Sequence, residues 1–369
     1  MALAEALDRS FVIKRLDWPV ADADEDRARV RAFLADTPAA RLQREVLGLH
    51  APWPRLVICC GRRSDRVAFW IKRQTHGATR VVSIGRARKS LDAYDLLVAP
   101  PQFALPERAN VVKLLLPLPR PRRVRVAHAN DNARPVVPVP KPWFTILLGG
   151  EVKQFAASKR RLVKAARRAQ LAAKLHGGSV IVSTSRRTPP ALLAAVERVL
   201  DRPFVYRWSP SATAQNPYEM LLHQSAALFV TADSVSMIAD SSASGTPTYV
   251  IEYPDRFDLR RHWRRNLFRQ IRRVIDRCRD WGLVRAGDRL EHLQDWLHAK
   301  RILRYPRDLR RFHASVYGMG LARPADTFDP AILPVKRVPA NDLGEIAGVP
   351  EVASRCRTLH GWPTRIAAE

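Results

Sequence analysis

The stretch from Ala227 to Glu252, ALFVTADSVSMIADSSASGTPTYVIE, decides how the chain is read. It opens on an apolar run, Ala227-Leu228-Phe229-Val230, of a length suited to a buried strand. Thr231, Asp233, Ser234 and Ser236 follow, then a small-residue segment of helical character from Val235 to Ser244. Gly245 stops it, as glycine after a last helical turn does. Thr246-Pro247 turns the chain, and Thr248 to Ile251 reads as a second strand. Strand, polar loop, helix, glycine and strand make one βαβ unit. Such a unit presents backbone N–H groups and hydroxyls at the helix N-terminus, where an anion such as a diphosphate is stabilised. The same hydroxyls also suit plain capping of a helix. These residues alone leave both readings open.

Outward from that stretch, the chain alternates strands and helices. Pro54 to Gly61, Thr79 to Ile84, Asp95 to Ala99 and Val111 to Leu116 read as strands ending in glycine or proline turns. Phe11 to Leu16 reads as another. Asp24 to Gly48 is helical with a break at Thr37-Pro38, and Val67 to Gln74 is a short amphipathic helix. A second alternation starts at Trp143. Phe144 to Leu148 is a strand running into Gly149-Gly150, and Ser158 to Leu175 is a helix with a basic exposed face. Strands at Ser179 to Ser183 and Phe204 to Trp208 flank a helix at Ala191 to Leu200, and Tyr218 to Gln224 is a short helix. This alternation predicts parallel α/β sheets. Between the two runs, prolines at 117, 119, 121, 135, 138, 140 and 142 interleave with Arg120, Arg122, Arg123 and Arg125. That texture marks a stiff linker and a domain boundary.

A chain of 369 residues is comfortable for two cores. Its formal net charge is +28, from 63 Lys+Arg against 35 Asp+Glu. Such a surplus implies a polyanionic neighbour, whether nucleic acid, an anionic membrane face or a phosphorylated substrate. No window reaches the ~18 apolar residues that a membrane helix needs. The opening MALAEALDRS lacks a basic region followed by an apolar core, so it does not read as a secretory signal. Cys59, Cys60, Cys278 and Cys356 lack disulfide or zinc spacing, so a reduced cytoplasmic protein without a metal is expected. From Asp258 to Arg311 the chain carries seventeen basic against seven acidic residues. Leu267, Ile271, Val274, Cys278 and Trp281 recur there at helical steps. The bases Arg264, Arg265, Arg272 and Arg273 fall on other faces, giving candidate contacts to anionic lipid at the inner membrane. A solvated arginine face is the ordinary alternative.

Several strings then become recognisable: Pro52-Trp53-Pro54, Gly61-Arg62-Arg63, Asp95 to Pro101, Pro142 to Gly150, Ser183 to Pro190, Asn216-Pro217-Tyr218, Val230 to Met237, Arg310 to His313 and Gly320 to Pro324. Together they resemble the bacterial branch of the mitochondrial fission factor family, the "elongated mitochondria" family of plants. That family in turn resembles two-domain GT-B glycosyltransferases. The resemblance implies an α/β GT-B-like fold, with two Rossmann-like parallel-sheet domains facing a cleft. It places an acceptor-side domain at residues 1–118, a linker at 119–142, a donor-binding domain at 143–257, a basic helical insertion at 258–308 and a C-terminal helix and tail at 309–369. It also implies a nucleotide-sugar substrate, with no separate cofactor. Gly149 and Gly150 would let the donor phosphates approach the backbone, and Ser185, Arg186 and Arg187 would meet the diphosphate. Thr231, Asp233, Ser234 and Ser236 would line the donor site. Asp240, five before the glycine of Gly245-Thr246-Pro247, would hold the ribose where the family pattern has Glu. Arg62 and Arg63 are candidates for anion binding in the cleft.

Members of this family begin with a strand and a polar loop ahead of a helix ending like Leu3-Ala4-Glu5-Ala6-Leu7, so the resemblance implies an N-terminal domain without its first strand, from either a misplaced start or a degenerate domain. Inverting transfer needs a general base. His50, Asp65 and His76 are the candidates, none in a diagnostic motif. Three functions are therefore carried forward: a glycosyltransferase of cell-envelope glycans or lipids, a non-catalytic interaction protein of GT-B type, and nucleic-acid binding. The last is not expected, since no recognisable nucleic-acid motif such as a zinc finger is present and the arginines are not interleaved with aromatic residues in a stacking pattern.

Overall fold

The computed structural model describes residues 2–16, 23–103, 105–118, 137–210, 216–256, 305, 307–336 and 348–362, with single positions at 270, 274 and 277. Contacts divide the chain into two units. One is built on Leu3–Leu114 and takes in the helix Val349–Thr358; the other is built on Leu115–His262 and Asp308–Gly348.

In the first unit, helices α1 (Ala2–Ala6), α2 (Ala23–Phe33) and α3 (Pro38–Val46) precede strand β1 (Leu56–Cys60). Thr37 starts α3 as an N-cap, its hydroxyl accepting from the Ala40 N–H. Helix α4 (Arg62–Gln74) follows, then β2 (Arg80–Ile84), β3 (Leu96–Ala99) and β4 (Val111–Lys113). All pairings are parallel and the order is β1-β2-β3-β4, so each strand lies beside its predecessor. The expected strand at Phe11–Leu16 is not one. That segment has no regular secondary structure and joins no ladder among the described residues, and Phe11, Val12 and Ile13 are exposed. Helix α4 starts five residues before the expected Val67, because the polar Arg-Arg-Ser-Asp-Arg run forms its first turns.

The second unit runs β5 (Trp143–Leu148), α5 (Lys159–Leu175), β6 (Ser179–Thr184), α6 (Pro190–Glu197), β7 (Phe204–Tyr206), α7 (Tyr218–Gln224), β8 (Ala227–Thr231), α8 (Val235–Ala243), β9 (Thr248–Ile251), α9 (Leu309–Gly318) and a two-residue β10 (Arg323–Pro324). Its order is β10-β9-β8-β5-β6-β7, parallel throughout. Counted from β5 as the first strand and read from the β7 edge, this is the doubly wound order 3-2-1-4-5-6. Every residue of β5, β8 and β9 is buried, as strands covered on both faces require. Ser158 caps α5 by accepting the Arg161 N–H. Leu162 and five alanines then lay the helix against the sheet. The α/β class with two parallel sheets holds in both units. Helix α10 (Val349–Thr358) packs in the first unit, where Arg357 donates to the Ala6 carbonyl at 2.6 Å and Arg355 to the Ala109 carbonyl at 2.7 Å.

Candidate functional site

A doubly wound sheet has one place where its order reverses, between its first and fourth strands. Chains leaving those two strands diverge and leave a crevice at the carboxyl ends. Here the strands are β5 and β8, paired with Leu147 opposite Val230. Gly149-Gly150 and Ala232-Asp233 therefore emerge side by side. Leu148 also pairs with Thr184 on β6, which brings in Ser185 to Thr188. The structure thus assembles most of the expected donor residues from three loops.

Their hydrogen bonds set distinct roles. The Gly149 N–H donates to Thr231 Oγ1 at 2.8 Å, and the Gly150 N–H donates to Asp233 Oδ2 at 2.7 Å. Thr231 and Asp233 are each 1% exposed, and Ser234 is buried too. Asp233 therefore turns inward onto the glycine loop. A Cβ on Gly149 would land on the Asp233 carboxylate, and one on Gly150 would meet Arg187 Cβ at 2.5 Å and its carbonyl oxygen at 2.7 Å. Both glycines are required by close approach of neighbouring chain. Burial raises the Asp233 pKa; the Gly150 N–H, Thr231 and the Arg187 charge oppose this without cancelling it. Its Oδ1 accepts no hydrogen bond among the described residues.

The exposed groups are Arg186, Arg187 and Ser236. Ser185 to Thr188 is a turn closed by the Thr188 N–H donating to the Ser185 carbonyl at 3.0 Å. Thr188 Oγ1 ties that turn to the Leu148 carbonyl at 2.8 Å, so both arginines project from a fixed backbone beside the glycine loop. Ser236 stands in the first turn of α8. Asp240 lies further along α8, half-buried, and accepts from the Tyr218 hydroxyl at 3.1 Å.

Two residues that the sequence did not single out complete the interior. Tyr253, just past β9, is 1% exposed; burial and then the Asp233 charge push its phenol up. His313 on α9, also 1% exposed, donates from Nε2 to the Ala232 carbonyl at 2.9 Å and stacks on Phe155. A carbonyl only accepts, so Nε2 carries the proton and Nδ1 is bare. Among the described residues Nδ1 and the Tyr253 hydroxyl have no partner. His313 falls in the Arg310 to His313 string, but a lone histidine gives no signal of what it supports.

The first unit treats its candidates differently. Arg62 Nη2 contacts Asp26 at 2.6 Å, and Arg63 Nε pairs with the other oxygen of the same carboxylate. Burial would raise the Asp26 pKa, but hydrogen bonds and charge from the two arginines outweigh it and hold it low. An internal acid thus takes the place in which an external anion was expected. Asp65 is 3% exposed, accepting from Ser83 at 2.9 Å and Tyr94 at 3.2 Å, and burial raises its pKa. It knits the core rather than facing solvent. Asp65→Ala is expected to cost about 2 kcal/mol by orphaning both hydroxyls, read by urea unfolding. His50 is exposed, its Nδ1 2.7 Å from the Ala51 carbonyl. His76 is exposed in the turn ending α4. Arg264, Arg265, Arg272 and Arg273 lie outside the described residues. No described helix is long and apolar enough to cross a membrane.

Residues 1–294 match the family described as Mitochondrial fission ELM1. The chain belongs to that family. The Mitochondrial fission protein ELM1 of Arabidopsis thaliana is 27% identical over 222 residues, covering 54% of this chain. The chain spans about half the length of that relative, 51%. An uncharacterized protein of Rickettsia prowazekii (strain Madrid E), RP120, is 22% identical over 271 residues, which is 64% of this chain and 75% of its own. Among solved structures, the chain is similar to UDP-GlcNAc 2-epimerase from Neisseria meningitidis bound to UDP-GlcNAc, with a TM-score of 0.39, 11% identity, and 63% and 66% of the two chains covered. It is also similar to S. aureus MnaA with UDP, with a TM-score of 0.36, 9% identity, and 87% and 93% covered.

Proposed function

We propose that the second unit binds a nucleoside-diphosphate sugar at the crevice between β5 and β8, and that the protein is a glycosyltransferase of cell-envelope glycans or lipids. The observation that carries this reading is the strand-order reversal with Arg186 and Arg187 exposed at its mouth. Arginine offers a planar fork of donors to a diphosphate, and the N-terminus of α8 adds its partial positive charge. Asp240, held by Tyr218, is the carboxylate for the ribose. Asp233 and Thr231 act one step back by fixing the glycine loop. The resemblance of these strings to GT-B donor domains points the same way, and with it goes a place at the cytoplasmic face of the inner membrane.

A second reading is a non-catalytic protein that keeps the donor site for interaction. It is favoured by the first unit, where Asp65 is sealed in the core and His50 and His76 stand on the surface.

Calorimetry on the whole chain tests the first step. UDP- or GDP-sugars should bind, and a CMP-sugar, lacking the diphosphate, should bind less well. Arg186→Ala or Arg187→Ala should weaken binding by roughly ten- to a hundred-fold each, the value of a charge-assisted hydrogen bond. Binding without turnover on any acceptor would select the second reading. No heat with any nucleotide sugar would overturn the donor site itself.

A further inference from the structure

Helix α5 carries seven basic residues, Lys159, Arg160, Arg161, Lys164, Arg167, Arg168 and Lys174, and no acid. This breaks a local rule. Cations in the first turn oppose the helix dipole, and that position ordinarily favours Asp or Glu. Here Lys159, Arg160 and Arg161 occupy it. Alanines, the best helix formers, and the Ser158 cap keep the segment helical regardless. Arg161 donates to the Glu252 carbonyl at 3.3 Å, but Lys159 and Arg160 form no hydrogen bond or ion pair among the described residues, and a local rule broken without an evident compensating contact is where function is to be sought.

The geometry sorts the helix into two faces. Leu162, Ala165, Ala166, Ala169, Ala172 and Ala173 are buried. Arg160, Lys164, Arg167, Leu171, Lys174 and Leu175 are exposed. At 3.6 residues per turn those six fall within an arc of about 100° on a face roughly 22 Å long. Leu171 is 49% and Leu175 57% exposed, one turn apart beside Lys174. Little neutralises the stripe. Lys164 meets Asp326 at 2.7 Å, but both side chains are more than half exposed, and such pairs are weak. Among the described residues Arg160, Arg167 and Lys174 form no ion pair. The inward face is fixed to the sheet, so the cations are presented on a rigid plane.

We infer that this face of α5 docks the protein on an anionic lipid surface. Phosphate-bearing head groups accept the cations, while the aliphatic boundary just beneath them accepts Leu171 and Leu175. A nucleic-acid backbone would use the cations alone. Surfaces that grip single strands add aromatic platforms, and this stripe has none. The inference is independent of the donor-site reading.

The test is co-sedimentation of the whole protein with vesicles of phosphatidylcholine alone and of phosphatidylcholine mixed with phosphatidylglycerol. The protein should sediment only with the mixed vesicles, and less so at high salt. The variant Arg160→Gln/Lys164→Gln/Arg167→Gln/Lys174→Gln should partition several hundred-fold less, since each base near such a surface is worth about five-fold. Leu171→Ser/Leu175→Ser should weaken partitioning while keeping the charge. All six side chains are exposed, so an unchanged melting temperature confirms folding. An equal loss in Arg264→Gln/Arg265→Gln/Arg272→Gln/Arg273→Gln would assign the effect to bulk charge and overturn the inference. So would undiminished sedimentation of the α5 variant. Binding of DNA or RNA through these bases, with no vesicle binding, would overturn it in favour of a nucleic-acid partner.

Discussion

Gly149→Ala is expected to lower the unfolding free energy of the second unit by about 2–6 kcal/mol. The added methyl would occupy the place of the Asp233 carboxylate. That carboxylate is 1% exposed at the end of β8, so it cannot swing into solvent without opening the core. Moving it also breaks its bond to the Gly150 N–H. Overpacking a tight site costs about 1–3 kcal/mol, and leaving a buried N–H unpaired costs a further ~1–3 kcal/mol. Two comparisons separate this from a general intolerance of alanine. Gly318→Ala, at the end of α9 where a Cβ meets nothing, should instead stabilise by about 0.5–1 kcal/mol through helix propensity. Asp233→Gly introduced with Gly149→Ala removes the colliding group, so the two changes should couple by about 2 kcal/mol. Urea unfolding of the four members of the cycle measures this. Additivity within about 0.5 kcal/mol would mean that Asp233 does not pack on the loop as described.

That interaction also shows where sequence reasoning reaches its limit. The strands β5, β8 and β9 are readable because buried parallel strands are near-continuous apolar runs. Ser158 opens α5 as its cap, and Tyr218–Gln224 reads as a short helix and is one. Strand order is not written locally. The reversal between β5 and β8 arises from a crossover that carries the chain from β7 back across the sheet, and no single residue records it. Phe11 to Leu16 has the composition of a strand, but a strand exists only with a partner ladder, which composition cannot show. The start of α4 was hidden for another reason. Periodicity looks for apolar residues, and at Asp65 the buried face is carried by a carboxylate whose partners, Ser83 and Tyr94, lie on later elements.

The site divides along the same line. Gly149, Gly150, Ser185 to Arg187 and Thr231 to Ser236 could be named because each follows an apolar strand. Their orientations could not. Whether Asp233 faces a ligand or the Gly150 N–H, 83 positions away in sequence, depends on which loops the sheet brings together. The reverse holds for Arg62 and Arg63. Two arginines after a glycine look free until Asp26, from a helix earlier in the chain, is seen between them.

The second large effect is expected in acid. The His313 pKa is pushed down to about 4, by burial first and then by the Arg310 charge; the Ala232 carbonyl and the Glu252 and Asp308 charges oppose this. The structural cause is the bare Nδ1, since protonation there would create a buried cation with no acceptor among the described residues. In the unfolded chain the ring titrates near 6.5. The folded value is the lower one, so the folded state takes up this proton less readily. Stability from neutral His313 is therefore complete above about pH 6.5 and falls as pH drops toward 4, by roughly 3 kcal/mol in all. Asp233 acts with the opposite sign: its raised pKa means that the folded state gains a proton first, so its contribution to stability grows as pH falls. A raw acid-unfolding curve mixes the two. The difference between wild type and His313→Gln isolates the histidine, because glutamine can still donate to the Ala232 carbonyl but does not titrate. The wild type should be the more stable at pH 7, and its advantage should shrink by roughly 3 kcal/mol by pH 4. A difference that stays level across that range would show that His313 does not titrate against a closed interior. The α9 ring would then be no fixed support behind Ala232 and Asp233.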